Sequence, residues 1–227
     1  MKHLCKYCNK EFVKESTLAA HLCEPKRRWQ QQNDAAVQLG FKSYLRFYEI
    51  TQGSAKLKTY EDFSKSSYYL AFVKFGRHLI AIRAVNPVSY TDWLLKNNKK
   101  LDHWCKDQLY TEWLYQYLRK ESVQDAIERA LKEMQSYADI ETKLQNNFAN
   151  YFKFGSSNLI SKHISDGRIS PWVVYNSDSG IQWLNQANQD QVKIIMPAID
   201  PDFWQQKFRD YVSDTEWCKH ILQNAGL

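Results

Sequence analysis

Apolar and polar positions alternate with helical spacing over most of the chain. Leu101, Cys105, Leu109, Trp113 and Tyr117 recur every fourth residue, with Tyr110, Leu114 and Leu118 beside them, which predicts a broad helix face packed into a core. Phe41, Tyr44, Leu45 and Tyr48 repeat that spacing nearer the N-terminus. Pro25 suits a first helical position, and Arg28 to Leu39 contains no breaker, so a helix is expected there with Gly40 as its C-terminal cap. Thr59-Tyr-Glu-Asp62 predicts a capped helix start, and Tyr68 to Phe75 an apolar run ending at Gly76. His78 to Val85 fits either a short strand or a helix. Asn86-Pro87 restarts the chain, with Trp93 and Leu94 facing inward. Ser122, Asp200 and Asp214 each precede a helical pattern. Phe148, Tyr151, Phe152 and Phe154 cluster before Gly155, and Asp166-Gly167 and Asn176 to Gly180 mark turns. The loop at about Gly53 to Lys58 is the expected break. The pattern predicts a mainly α protein.

The first 28 residues follow a different rule. Cys5 and Cys8 are separated by two residues, Phe12 follows Cys8, Leu18 follows Phe12, and His21 follows Leu18. This is the ligand and core spacing of a ββα unit. Residues 3–28 therefore resemble the C2H2-type zinc finger family, which implies a bound Zn2+ held by Cys5, Cys8 and His21. The family places a second histidine three to five residues beyond the first, but here those places hold Pro25 and its neighbours. The nearest candidate for the fourth ligand is Cys23, with His3 as the alternative. A three-ligand site open to water, or a set of incidental cysteines, would also fit the residues. On a continuous helix residues i and i+2 point about 200° apart, so Cys23 reaches a shared metal only if the helix stops near His21 or Leu22. Pro25 favours such a stop by pushing Glu24 out of the helical region. So short a segment has almost no apolar core, and metal binding would supply most of its folding free energy, about 10 kcal/mol or more.

Length and composition fit a small finger (residues 1–28) joined without a flexible hinge to one multi-helix domain (residues 29–227). No run of 18 apolar residues suggests a membrane span. The N-terminus lacks a signal-peptide pattern, and a zinc-thiolate site suits a reducing compartment, so a cytoplasmic location without membrane contact is expected. Cys105 and Cys218 read as reduced core thiols. The formal net charge is +6, and it is unevenly placed. Residues 1–32 hold seven basic and three acidic side chains, against twenty-four and twenty-two in the rest.

That surplus points to a phosphate backbone. By family register the base-facing positions fall on Lys14, Ser16, Thr17 and Ala20. Only Lys14 is long and charged, so one such finger would bind nucleic acid with little sequence preference. Lys14, Thr17, Lys26, Arg27 and Arg28 are the expected contacts, with Trp29 available to stack or to pack. A solvated charge run, or a finger that meets protein, would explain the same residues.

Most tryptophans, including Trp93, Trp104, Trp113, Trp183 and Trp217, fall at apolar helical positions and read as core. Ser170-Pro171-Trp172 beside Arg168 could instead expose an aromatic to a partner. Enzyme motifs are lacking: there is no glycine-rich phosphate loop, no Gly-x-Ser-x-Gly and no His-Glu-x-x-His. Asp178, Asp190 and Lys193 suggest a nuclease triad only faintly, since Gln191 stands where an acid belongs. The chain as a whole resembles small proteins of T4-type tailed bacteriophages, which implies a partner in phage DNA metabolism, late transcription or virion assembly. The expectation is a non-enzymatic nucleic-acid-binding accessory protein whose helical domain oligomerises or binds a protein. The alternative is a structural or assembly protein whose finger contacts protein.

Overall fold

The computed structural model describes residues 2–53 and 57–227, and 71% of the protein is helical. The expected mainly α fold is present. Its only sheet among the described residues is a hairpin of β1 (His3–Leu4) and β2 (Glu11–Phe12), antiparallel with His3 opposite Phe12 and Leu4 opposite Glu11. Contacts in space divide the chain into two compact units, residues 1–110 and 111–227.

In the first unit, α1 (Glu15–Ala20) follows the hairpin and α2 (Glu24–Gln30) follows after an extended break. The single helix expected from Pro25 to Leu39 is interrupted at residues 31–34. Asp34 there turns its carboxylate onto the backbone N–H groups of Ala36 and Val37, at 2.9 and 3.1 Å, and starts α3 (Ala35–Gln52). A side chain that satisfies two orphan donors fixes a helix start. Gly40 is not a cap. It lies inside α3, where an added Cβ would stand 2.6 Å from the carbonyl oxygen of Phe72.

Gly76 makes the matching approach from α5 (Tyr69–Ala81), reached through α4 (Tyr60–Lys65). A Cβ at Gly76 would lie 2.0 Å from the Ala36 oxygen. Glycine is used at both places because two helix backbones touch there. The predicted stop at Gly76 is therefore a crossing point inside a helix. α4 begins with the expected capping box of Thr59 and Asp62. The ambiguous stretch from His78 resolves as helix up to Ala81, and Arg83, at φ 49°, turns the chain. The expected break near Gly53 to Lys58 includes residues 54–56, which lie outside the described residues; Gly53 itself has φ 74°.

Next, α6 (Pro87–Lys96) is capped by the Asn86 side chain on the Ser89 N–H. Phe63, Phe72, Phe75, Tyr90 and Trp104 form a buried aromatic core, and the Trp104 indole N–H donates to the Lys99 carbonyl at 2.9 Å. α7 (Asp107–Leu118) begins six residues later than Leu101, which lies in a short 3-10 turn. Its buried face is Tyr110, Trp113, Leu114 and Leu118, and the division between the units falls within it.

In the second unit, α8 (Val123–Ala138) is capped by Ser122 as expected. Seven further helices follow: α9 (Tyr151–Phe154), α10 (Ser157–Ser165), α11 (Pro171–Asn176), α12 (Asp178–Gln186), α13 (Gln189–Ile199), α14 (Pro201–Asp210) and α15 (Val212–Asn224). Pro197 lies inside α13. Trp172 is buried against Trp204 and Phe208, so the expected exposed aromatic beside Arg168 is core. Trp217 reverses its expectation in the other direction and is exposed. Cys218 is a free buried thiol, its pKa pushed up to about 12 by burial.

The second unit also buries charge. The Glu121 carboxylate takes two hydrogen bonds from the Arg129 guanidinium, at 2.5 and 2.8 Å, and one from the Ser170 hydroxyl at 2.8 Å. Burial raises the Glu121 carboxyl above its ordinary pKa despite the pull of Arg129.

Candidate metal centre

The hairpin and the break between α1 and α2 bring four donors together. The Asn9 N–H donates to the Cys5 carbonyl at 2.8 Å and the Cys5 N–H to the Lys10 carbonyl at 2.9 Å. Asn9 takes φ 57°, a left-handed conformation that asparagine tolerates, and the turn aims both sulfurs to one side. α1 ends where it must. His21 (φ −70°, ψ 121°) and Cys23 (φ −86°, ψ 163°) are both extended, which undoes the opposition that a helix would impose two residues apart. α2 then begins at Glu24 itself, with Pro25 second, so the expectation that Pro25 pushes Glu24 out of the helical region fails: proline fits the first turn of a helix, and the extended break lies at Cys23.

The ligating atoms of Cys5, Cys8, His21 and Cys23 all lie within 4.8 Å of one another and can hold a metal ion. Sγ of Cys5 and Cys23 are 3.9 Å apart, and Sγ of Cys8 is 3.3 Å from Nε2 of His21. His3 is outside this group and pairs with Phe12 across the hairpin. Cys5 is buried, and the Tyr7 backbone N–H beside its sulfur lowers its pKa. The Lys10 amide pulls the Cys8 thiol down, but burial and the neighbouring sulfurs of Cys23 and Cys5 raise it overall. Three crowded sulfurs resist ionising together, and a cation among them removes that penalty. Phe12 packs on the His21 ring at 4.7 Å and fixes its orientation.

The expected nucleic-acid contacts divide into two groups. Lys14, Ser16, Thr17 and Ala20 are all exposed, and α1 buries none of its residues. Arg27 is also outward, its side chain 57% exposed beside Glu24. Lys26 and Arg28 are engaged with the protein. Lys26 Nζ donates to the His21 carbonyl at 3.0 Å, at the open end of α1. Arg28, 18% exposed, pairs with Glu24, donates to the Ser64 carbonyl at 2.8 Å and lies 4.5 Å from the centre of the Tyr69 ring. The Tyr60 hydroxyl donates to the Arg28 carbonyl at 2.6 Å. These bonds lock α2 to α4.

Sequence reasoning missed α4 as a neighbour of the finger, because nothing in the Glu61 to Lys65 stretch marks a contact more than thirty residues distant. It also missed the buried Glu121, Arg129 and Ser170 group, whose members share no spacing. No other metal-binding group of histidine, cysteine and acidic side chains occurs among the described residues, and no helix among them is long and apolar enough to cross a membrane. No protein-family model, curated protein or solved structure matches the chain, so the resemblance to tailed-phage proteins gains no support from them.

Proposed function

We propose that the metal is Zn2+ and that the chain is a non-enzymatic nucleic-acid-binding accessory protein whose helical part binds itself or a protein partner. Tetrahedral zinc with thiolate and imidazole ligands implies edges of about 3.8 Å between sulfurs and about 3.6 Å from sulfur to nitrogen. The spacings of 3.9 and 3.3 Å lie close to these. Zinc in this role supplies folding free energy to a segment that cannot build a core.

The observation that carries the nucleic-acid reading is the exposure of the finger helix. Lys14 and Thr17 are open to meet phosphates, and Arg27, though exposed, is ion-paired with Glu24; the metal would fix the helix they flank. A single charged position in the base-facing register supports backbone binding of low sequence preference. The cluster of thiols suits a reducing compartment such as the cytoplasm.

One observation favours the alternative, a structural or assembly protein, of a phage particle if that resemblance holds. Lys26, Arg27 and Arg28, three of the basic side chains expected to meet phosphate, are already bonded within the protein. Salt separates the two readings. DNA binding by the zinc-loaded chain is expected to weaken steeply between about 50 and 200 mM salt, a range over which several phosphate contacts lose orders of magnitude in affinity. Lys14→Glu with Arg27→Glu should cost more than about tenfold. Absence of DNA binding together with a salt-insensitive, zinc-dependent oligomer would establish the alternative.

A further inference from the structure

Between the Cys5 to Asn9 turn and α4 lies a hollow of about 340 Å³, lined by Lys6, Tyr7, Trp29, Glu61, Ser64 and Lys65 among others. Its volume falls within the range of small-molecule sites. Trp29 forms part of its wall and is 37% exposed, so part of its ring is open to a ligand. The ring is held rather than loose, meeting Tyr60 edge-on at 5.7 Å and Tyr7 at 6.4 Å. The walls are fixed from both sides. The turn that carries Lys6 and Tyr7 is closed by the Asn9 N–H on the Cys5 carbonyl, and α2 is bolted to α4 through Arg28 and Tyr60.

The charges at the rim favour an anion. Lys6 Nζ stands 5.0 Å from the centre of the Tyr7 ring, and Lys65 pairs with Glu61 at 2.6 Å with both side chains about two-thirds exposed. An exposed pair of this kind contributes little to stability, so a phosphate can draw Lys65 away from Glu61 at small cost. Two cations against one carboxylate, around a partly bare indole, match a planar ring joined to a phosphate.

We propose that this hollow holds one unstacked base of a single-stranded nucleic acid, with its ring against Trp29 and its backbone phosphate on Lys6 and Lys65. The proposal rests on the nucleic-acid reading and narrows it to strand type. Stacking of a base on an aromatic side chain adds affinity and tolerates any base, which suits a finger with so little base-reading chemistry. A duplex must first extrude a base to fill the hollow, and that unpairing opposes binding. Single strands are therefore preferred.

The test measures binding of the full zinc-loaded chain to a fluorescein-labelled single-stranded DNA of about 12 nucleotides, to its duplex and to adenosine monophosphate. Single-stranded DNA should bind at least about tenfold tighter than duplex. Trp29→Leu should lose about tenfold for the single strand and leave duplex binding unchanged. Lys6→Ser with Lys65→Ser, both exposed positions, should show the same selective loss, and decides the matter if Trp29→Leu sheds its metal or unfolds. If these variants bind the single strand as the parent does while Lys14→Glu with Arg27→Glu abolishes binding, the hollow is not the site and the finger reading survives. If neither DNA form binds, both are overturned. A mononucleotide that binds as tightly as the strand would assign the hollow to free nucleotides and overturn the strand proposal.

Discussion

Residues 2–30 and the helices that follow bury their side chains to opposite extents. In the finger only Cys5 is buried, and α1 and α2 contribute no buried residue at all. In α5, by contrast, Tyr69, Phe72, Val73, Phe75, Gly76 and Leu79 are all buried. A segment without a core must be organised by specific ligands, so its chemistry is tied to residue types at fixed spacings. A segment with a large core is organised by burial, which many residues can supply. The finger therefore depends on a few particular side chains, and the helical body on the total area it buries.

The largest expected effect breaks the finger alone. Chelation, or Cys5→Ser, should remove about 10 kcal/mol of metal-derived folding free energy, expose residues 2–23 to proteolysis and leave most of the helical circular dichroism in place. Loss of the whole helical signal would mean that the finger is part of one cooperative core, and the contrast would fail.

The next effect lies in the second unit, where charge is buried. Arg129→Met leaves the Glu121 carboxylate without its partner, and breaking such a pair costs about 3–5 kcal/mol, measurable by urea unfolding. Arg129→Met with Glu121→Leu should recover much of that loss. A smaller effect tests the helix crossing in the first unit. Gly76→Ala places a methyl against the Ala36 carbonyl and should destabilise by about 1–3 kcal/mol through overpacking, whereas Gly53→Ala acts only through its positive φ.

The smallest effect depends on pH. Burial lowers the His78 pKa, opposed by Asp107. The folded state therefore resists protonation that the unfolded chain accepts at about pH 6.5. The contribution of neutral His78 is complete above that pH and is lost as pH falls below it. Unfolding free energy should decline less between about pH 7 and 5.5 in His78→Gln than in the parent chain.

Much of this is legible in sequence wherever one residue type does one local job. The Thr59 capping box, the Ser122 and Asn86 caps and the Cys5, Cys8, His21 and Cys23 group all follow from short spacings. Cys23 can join the group only if the helix stops near His21 or Leu22, and it stops with His21 as its cap, although Glu24 is helical despite Pro25. What sequence does not reveal depends on distant partners. Gly40 and Gly76 look like helix ends until α3 and α5 are seen to touch. Trp172 looks exposed until Trp204 and Phe208 cover it, and Trp217 looks buried yet stands 42% exposed. Arg28 reads as a solvent-facing cation because Ser64 and Tyr69, its neighbours in the fold, lie far along the chain.

The ligand set is the central claim, and metal stoichiometry tests it most directly. Zinc content would be measured in the purified parent chain and in Cys5→Ser, Cys8→Ser, His21→Ala, Cys23→Ser and His3→Ala. One zinc per chain is expected in the parent and in His3→Ala, with loss in the other four. One tightly held zinc in Cys23→Ser, or its loss in His3→Ala, would contradict that ligand set.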